Sequence, residues 1–375
     1  MSKLKSISIS GFKSIGDKQE LTFGDVTVCL GANGAGKSNL VSFFKMLNFM
    51  MTDGLQHFIA KNGMANSILH FGASKTKTIE FEINFEDNTW KNKYSVCLSH
   101  GMPDAIFFSK EEVIGHRIGA DKPIQAYLQS IGRSESALKD GCEDNTAIES
   151  TCRVIRNLLA KCKFFQFHDT SESSRLRSSC YVESGEFLMS DAGNLPAFLY
   201  AMQKNSPKYY NRIVSHIKSI VPQFSDFRLA PSPQNPNNIF LNWIGENGED
   251  YLFGPHQLSD GSLRFIALAT LLLQPPTTIP KVIVLDEPEL GLHPAAISDL
   301  AGMISVARKH CQIILATQSP ELANQFNPKD IVIVEYDKIN HSTIFKRLDI
   351  EKMADWLNDY SIAELWHKNV LGGRP

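Results

Sequence analysis

The stretch GANGAGKS, residues 31–38, decides the fold of this chain. It fits the pattern G-x-x-x-x-G-K-S, in which glycines let backbone N–H groups approach and point at phosphate oxygens. The preceding residues 26–30, VTVCL, predict a buried strand, and residues 37–51 predict a helix with one apolar side. Because a helix N-terminus attracts anions, strand, glycine loop and helix together predict a phosphate-binding loop.

Two side chains of this loop have distinct expected roles. Lys37 can reach the β- and γ-phosphates of a nucleotide, and Ser38 can offer its hydroxyl to Mg²⁺. The expected nucleotide-binding residues are Asn33, Gly34, Ala35, Gly36, Lys37, Ser38 and Asn39.

A second candidate segment lies far along the chain. Residues 281–285, KVIVL, predict a short buried parallel strand that leads into carboxylates. Asp286 is the candidate Mg²⁺ ligand, and Glu287 is placed to orient and deprotonate an attacking water. For Glu289 two alternatives remain, a second metal ligand or a solvated residue at a helix entrance, and the second is favoured.

Between these segments, LSDGS at residues 258–262 precedes an apolar helix predicted over 263–273. Taken alone, this is a capped core helix, because serine and aspartate are common N-cap residues. Its position before the strand at 281–285 makes a functional role more probable.

Together these motifs resemble those of the ATP-binding-cassette (ABC) ATPases. LSDGS resembles their signature sequence L-S-G-G-Q, with Asp260 in place of the first glycine. GLHP at 291–294 resembles the loop after the Walker B strand, and ATQSP at 316–320 resembles the switch loop. Many relatives have histidine where this chain has Gln318, which can donate a hydrogen bond to a γ-phosphate but carries no proton near neutral pH.

The resemblance implies a site shared between two copies of the chain. Lys37 and Ser38 of one copy would hold ATP, and Ser259 and Gly261 of the other would cap its γ-phosphate. Glu287 would be the base, with Gln318 sensing the γ-phosphate; the implied cofactors are therefore ATP and Mg²⁺.

Both ends of the chain indicate a branch of that family. LKSISISGFKSI, residues 4–15, is an alternating strand leading to FKS, which resembles the RecF/SMC-like branch. WLNDYSIAELW at 356–366 and KNVLGG at 368–373 resemble the ending of bacterial stand-alone predicted ATPases. Many of those relatives belong to anti-phage defence modules beside a nuclease or another effector, so the resemblance implies an effector partner encoded nearby.

Composition adds few constraints. The 375 residues are 43% hydrophobic and 21% charged, which is ordinary for a chain with a sizeable core. A net charge of −2 and a pI near 6.6 give no indication of nucleic acid binding, although DNA remains a possible partner. Seven scattered cysteines, no signal peptide and no apolar run of membrane-spanning length predict a cytoplasmic protein without a membrane partner.

The expected fold class is α/β, a P-loop ABC-ATPase head with a mixed sheet, two lobes and a helical insertion. Lobe I is expected over 1–90, the insertion over 91–223 and lobe II over 224–375. The insertion shows no sustained heptads, unlike SMC proteins. Helices are predicted within it at 122–130, 146–165, 194–204 and 207–220. The expected glutamine-bearing loop has Gln166 as its candidate, although the surrounding apolar run is also typical of a strand.

Two functions from different classes follow. The first is an ATP-hydrolysing switch that dimerises head to tail around ATP and controls a partner effector. The alternative is a RecF-like repair or recombination ATPase, in which DNA gates closure. A nuclease is disfavoured, because no D-(x)n-E-x-K or H-N-H pattern has a convincing context.

Overall fold

The computed structural model describes residues 2–142, 147–246 and 248–373. The strands are β1 (Lys3–Ser10), β2 (Gln19–Thr22), β3 (Val26–Leu30), β4 (Thr78–Glu86), β5 (Trp90–Gly101), β6 (Ala105–Arg117), β7 (Ile124–Tyr127), β8 (Cys162–Phe165), β9 (Cys180–Tyr181), β10 (Phe224–Phe227), β11 (Asn238–Ile239), β12 (Trp243–Gly245), β13 (Gly248–Phe253), β14 (Val282–Asp286), β15 (Gln312–Thr317), β16 (Ile331–Asp337) and β17 (Ser342–Arg347). The α-helices are α1 (Lys37–Met50), α2 (Leu55–Lys61), α3 (Met64–Ile68), α4 (Ala147–Ala160), α5 (Leu195–Asn205), α6 (Pro207–Ile220), α7 (Asp260–Leu273), α8 (Pro294–Ala307), α9 (Pro320–Ala323), α10 (Ala354–Asp359) and α11 (Ile362–His367).

A mixed six-stranded sheet lies at the centre, with the strand order β17-β16-β3-β15-β14-β8. Five of its strands are parallel, and β17 runs antiparallel at one edge. Every residue of β3, β14 and β15 is buried, which explains their continuous apolar runs. Their carboxyl ends meet at one edge of the sheet, so the segments that follow them are neighbours in space.

The two faces of this sheet belong to two different cores. Alternate residues, such as Val28 and Ile283, pack with α5 to α8. The residues between them, such as Cys29 and Val284, pack with α1 and the second large sheet. The expected mixed sheet is therefore confirmed.

The second large sheet is antiparallel, with the order β2-β1-β4-β5-β6-β7. It continues across residue 90, so the expected boundary between lobe I and the insertion falls inside this sheet. The helix predicted over 122–130 is wrong, because residues 124–127 form β7 at the sheet edge, where pairing with β6 outweighs local helix preference.

The helix predicted over 146–165 is correct only in its first part. Residues 143–146 lie outside the described residues, and α4 ends at Ala160. Residues 162–165, CKFF, instead pair in parallel with β14, where their apolar side chains extend the central sheet. The helices predicted at 194–204, 207–220 and 263–273 are confirmed as α5, α6 and α7, with ends shifted by up to three residues. Among the described residues, no helix is long and apolar enough to cross a membrane.

Candidate active site

The phosphate loop follows β3 and leads into α1. Gly34 and Gly36 have φ angles of +80° and +108°, which L side chains rarely adopt. A Cβ at Gly36 would also collide with the hydroxyl of Thr343, so this position needs glycine on two grounds. No side chain caps the N-terminus of α1, and Ser38 in its first turn is exposed. The loop thus presents an open helix N-terminus, the arrangement that binds phosphate.

Lys37 lies over its own loop. Its side chain is buried, and Nζ donates hydrogen bonds to the carbonyl oxygens of Gly31 at 2.7 Å and Ala32 at 2.9 Å. Burial lowers the pKa of the Lys37 ammonium, while Glu287 and Asp286 oppose that shift. Because the ammonium donates, among the described residues, only to these two backbone carbonyls, it can exchange them for phosphate oxygens.

Residues far from the loop in sequence fix its shape. Thr343 Oγ1 donates to Ala35 O at 2.9 Å and lies 2.7 Å from Ser14 Oγ. Asn39 Nδ2 in turn donates to Ser14 Oγ at 2.6 Å. Ser14 belongs to the FKS segment, which in the sequence indicated only a family resemblance. In the fold, Ser14 contacts Thr343 and Asn39 and so helps to fix the phosphate loop.

Asp286 ends β14 with a buried carboxylate. Its Oδ2 accepts a hydrogen bond from Gln166 Nε2 at 3.4 Å, whereas Oδ1 is buried and has no partner among the described residues. Burial raises the pKa of Asp286, because the ionised carboxylate is poorly solvated there, while His168, Lys45 and Lys37 oppose that shift. An orphaned carboxylate oxygen beside a phosphate loop fits a hard cation such as Mg²⁺.

Glu287 follows with a φ of +41°, in the left-handed region. Its backbone N–H donates to Ala316 O at 2.7 Å, which ties this turn to β15. A non-glycine residue held in this conformation costs on the order of 1–3 kcal/mol and is frequent at functional sites. The backbone therefore fixes Glu287, half-buried, at the carboxyl edge of the sheet.

The expectation that Glu289 is solvated is wrong. Its side chain is buried, Oε1 accepts a hydrogen bond from Thr317 Oγ1, and Oε2 has no partner among the described residues. The chain after Pro288 stays against the end of β15, and burial raises the pKa of Glu289. The metal-ligand alternative for this residue therefore stays open.

Gln166 joins the site directly after β8. Its Oε1 accepts from Lys45 Nζ at 3.1 Å, and its Nε2 donates to His168 Nδ1 at 3.1 Å as well as to Asp286. His168 Nε2–H then donates to Asp286 O at 2.9 Å, which fixes the tautomer of the ring. Neither Lys45 nor His168 was predicted from the sequence as a site residue.

Gln318 lies at the end of the neighbouring strand β15, and it is half-buried. The same strand end supports the phosphate loop, because Gly31 N–H donates to Thr317 O at 3.3 Å. The adjacent strands β3, β15, β14 and β8 therefore bring residues 31–38, Gln318, Asp286 and Gln166 to one edge, each at or just after the carboxyl end of its strand.

The signature segment lies at the start of α7. Ser259 is exposed, and its Oγ accepts from Ser262 N–H at 3.1 Å as the N-cap of the helix. A Cβ at Gly261 would collide with Gly291 O, so the signature and the loop after β14 approach closely. Within the described residues, no hydrogen bond joins this segment to the phosphate loop of the same chain.

Arg177 holds the signature segment in place and was not singled out from the sequence as a site residue. Its guanidinium is buried and donates to Thr170 O at 2.8 Å, Pro255 O at 2.6 Å, Leu258 O at 3.2 Å and Asp260 Oδ1 at 2.7 Å. The hydrogen bond that Asp260 accepts from Arg177 is the main cause that lowers the pKa of Asp260.

Arg264, on the first turns of α7, makes a second connection. It donates to His168 O at 2.8 Å, Phe167 O at 3.2 Å and Leu290 O at 3.0 Å. The signature helix, the segment after β8 and the loop after β14 are therefore linked through one side chain.

Comparisons with known proteins agree with this geometry. A family model described as "AAA domain" matches residues 6–190, and one described as "AAA domain, putative AbiEii toxin, Type IV TA system" matches residues 161–324. A curated "Putative ABC transporter ATP-binding protein" of Mycoplasma genitalium is 28% identical over 124 residues, 33% of this chain and 33% of that protein. The chain thus matches about a third of the length of this curated relative.

Solved structures of similar fold cover nearly the whole chain. A crystal structure of an Smc head bound to the C-terminal winged-helix domain of ScpA has a TM-score of 0.59 at 16% identity, covering 94% of this chain and 99% of its own. An Smc head with an extended coiled coil, bound to the C-terminal domain of ScpA derived from Pyrococcus furiosus, has a TM-score of 0.56 at 14% identity and covers 96% and 99%. The phosphate loop and the AAA-domain matches support a P-loop ATPase, and the similarity to the Smc heads shows that the chain has the fold of such a head.

Proposed function

We propose that the chain binds and hydrolyses Mg-ATP, that two copies close head to tail around two ATP molecules, and that this switch controls a partner protein. One observation carries the proposal. An open phosphate loop, the buried Lys37, the orphaned oxygen of Asp286 and the strained Glu287 meet at one sheet edge.

Each of these groups has a role in the proposal. Backbone N–H groups and side chains of residues 33–39 hold the triphosphate, and Lys37 exchanges two backbone carbonyls for phosphate oxygens. Ser38 and Asp286 would hold Mg²⁺, which supplies neutralisation of phosphate charge. Glu287 accepts the proton of the attacking water, and Gln318 donates a hydrogen bond to the γ-phosphate.

The head-to-tail arrangement follows from where the signature lies. Ser259 is exposed and makes its hydrogen bonds within its own helix turn, so its hydroxyl and the N-terminus of α7 are available to a second copy. Gly261 allows close backbone approach to a γ-phosphate. Two copies related by a two-fold axis would each complete the site of the other.

Control of an effector is the finer part of the proposal, with anti-phage defence as its setting. It is supported by the resemblance of both chain ends to stand-alone ATPases of such modules and by the matching family model whose description names a toxin–antitoxin system. The Smc heads of similar fold are described as bound to ScpA domains, which supports a protein partner for this chain.

Mixing two inactive variants tests the shared site. Ser259→Arg should leave ATP binding by a monomer nearly intact while blocking ATP-dependent dimerisation and hydrolysis. Lys37→Ala should lose ATP binding. In a heterodimer each variant supplies the half that the other lacks, so mixing should restore one of two sites. Light scattering with Mg-ATP and an ATPase assay measure both effects.

The matched control is Ser215→Arg, because Ser215 is an exposed serine on α6. It should behave as the parent protein. If two folded variants that exchange subunits give no activity on mixing, capping between copies is wrong, and Ser259 is only a helix cap. Strong stimulation of the isolated protein by DNA would favour the repair alternative instead.

A further inference from the structure

A large cavity lies outside the phosphate loop. It is formed by α1, β8 and the segments 187–191 and 274–281, and its volume is about 740 Å³. None of residues 31–38 lines it. Small-molecule sites typically occupy about 300–1,000 Å³, so this cavity has the size of a ligand site.

The charge of the cavity is strongly one-sided. Five cationic side chains and one carboxylate line it: Lys45, Lys161, Lys163, Arg175, Lys281 and Asp191. Arg175 donates to Asp191 at 2.8 Å and so neutralises the carboxylate. Among the described residues, none of the four lysines pairs with a carboxylate, which leaves an excess of positive charge.

Lys163 is the least compensated of these groups. It lies on β8, half-buried, and its ammonium makes no hydrogen bond within the described chain. Burial lowers the pKa of its ammonium, because the charged form is poorly solvated there. A bound anion would remove this cost.

An aromatic ring completes the lining. Phe187 has 59% of its surface exposed, which is high for a phenylalanine in a concave surface. The face of Phe164 is covered by Lys45 Nζ, 4.0 Å from the ring centroid, whereas Phe187 makes no ring contact within the described residues. Phe187 can therefore stack on a planar group.

We infer that this cavity binds a nucleoside phosphate, with the base on Phe187 and the phosphate at Lys163. Excess positive charge selects a multiply charged anion, and an exposed ring beside it selects a planar one. That chemistry occurs in free nucleotides and at the end of a single-stranded nucleic acid. The site is separate from the ATP site.

Lys45 connects this cavity to the sheet edge. Its Nζ donates to Gln166 Oε1 at 3.1 Å, and Gln166 contacts Asp286 at 3.4 Å. A phosphate that attracts Lys45 weakens its hold on Gln166, so the ligand changes the turnover of ATP. This coupling rests on the proposed hydrolysis, whereas binding in the cavity does not.

Calorimetry with the ATP site filled by Mg-ADP tests binding. The probes are AMP and a 5′-phosphorylated tetrathymidylate. At least one should bind with a dissociation constant below about 1 mM. Lys163→Gln and Phe187→Ala should each weaken it at least tenfold, while the matched controls Lys208→Gln and Phe240→Ala, which alter exposed residues outside the cavity, should not.

Each outcome is decisive. Binding of AMP that both cavity substitutions weaken supports a free nucleotide, and binding of the oligonucleotide alone supports a nucleic acid end. Binding of neither probe overturns the inference. The inference is also overturned if Lys37→Ala abolishes binding of the probe and Phe187→Ala does not, since the probe would then occupy the phosphate loop. If binding is confirmed but ATP turnover does not respond, the coupling through Lys45 is wrong and the site remains.

Discussion

Arg177→Met should separate ATP binding from ATP-dependent closure. The guanidinium lies far from the phosphate loop in sequence but holds the segment that contains Ser259 and Gly261. Methionine keeps an unbranched apolar stem and removes every donor. The substitution should therefore release the signature segment and leave the phosphate loop intact.

The magnitude follows from the hydrogen bonds that are lost. Pro255 O retains the N–H of Leu258, so two carbonyls, those of Thr170 and Leu258, lose their donor. At about 1–3 kcal/mol for each unsatisfied group, stability should fall by about 3 kcal/mol. Asp260 is mostly exposed and is resolvated without further cost. With an unfolding entropy of about 2.1 cal/mol/K per residue, 375 residues give a Tm lowered by about 4 °C.

The functional effect should be larger than the effect on stability. Calorimetry should show Mg-ATP affinity within about twofold of the parent, while turnover and dimerisation fall at least tenfold, because displacement of a site group by about 1 Å costs about a hundredfold. Arg177→Lys should be intermediate, since one ammonium cannot reach all four acceptors. The control is Arg228→Met, which alters an exposed arginine. Parent-level turnover and dimerisation with a lowered Tm would show that Arg177 only stabilises the fold, and an unchanged Tm would refute the hydrogen-bond reasoning.

Four further substitutions test individual groups. Lys37→Ala should reduce Mg-ATP affinity at least tenfold, about 1.4 kcal/mol, and unchanged affinity in calorimetry would exclude the phosphate-loop role. Glu287→Gln should retain ATP binding, lower turnover by roughly 10²–10⁴ and accumulate the closed dimer; turnover at the parent rate would assign the base elsewhere. Gln318→His should change turnover by less than about tenfold, and a collapse to the level of Glu287→Gln would mean that the pocket needs the amide. Asp286→Asn should abolish Mg²⁺-dependent turnover yet raise the Tm of the nucleotide-free protein at pH 7. Burial raises the pKa of this carboxyl in the folded state, so its ionisation opposes folding once the pH rises above its pKa in the unfolded chain. A lowered Tm would contradict this reasoning.

Local sequence chemistry was sufficient for the strands that carry the motifs. A buried parallel strand reads as a continuous apolar run, so β3, β14 and β15 could be predicted from residues 26–30, 281–285 and 312–315. Glycine at positive φ and carboxylates after a strand are equally local. They predicted the phosphate loop and Asp286 before any tertiary contact was known.

The secondary-structure predictions were wrong where pairing with another β-strand decides the structure. Residues 124–127 and 162–165 were assigned to helices, yet both are strands because a neighbouring strand is available to them. The environment of Glu289 was also missed, since its burial depends on the end of β15. No periodicity within these segments reports a partner elsewhere in the chain.

Local motifs and long-range contacts also have different roles at this site: the motifs supply the groups for ATP chemistry, and the contacts between motifs regulate it. The groups expected to touch ATP lie in short motifs, whereas the contacts between motifs join residues far apart: Gln166 and Asp286 are 120 positions apart, and Arg177 and Asp260 are 83. Arg177 lies outside every motif quoted from the sequence, and Gln166 lies within an apolar run. If ATP acts as a switch, its signal must pass through such contacts, because the signature and the phosphate loop share no hydrogen bond within the described part of one chain. Substitution of Arg177 or Gln166 should therefore alter closure more than ATP binding, while substitution of Lys37 alters binding first.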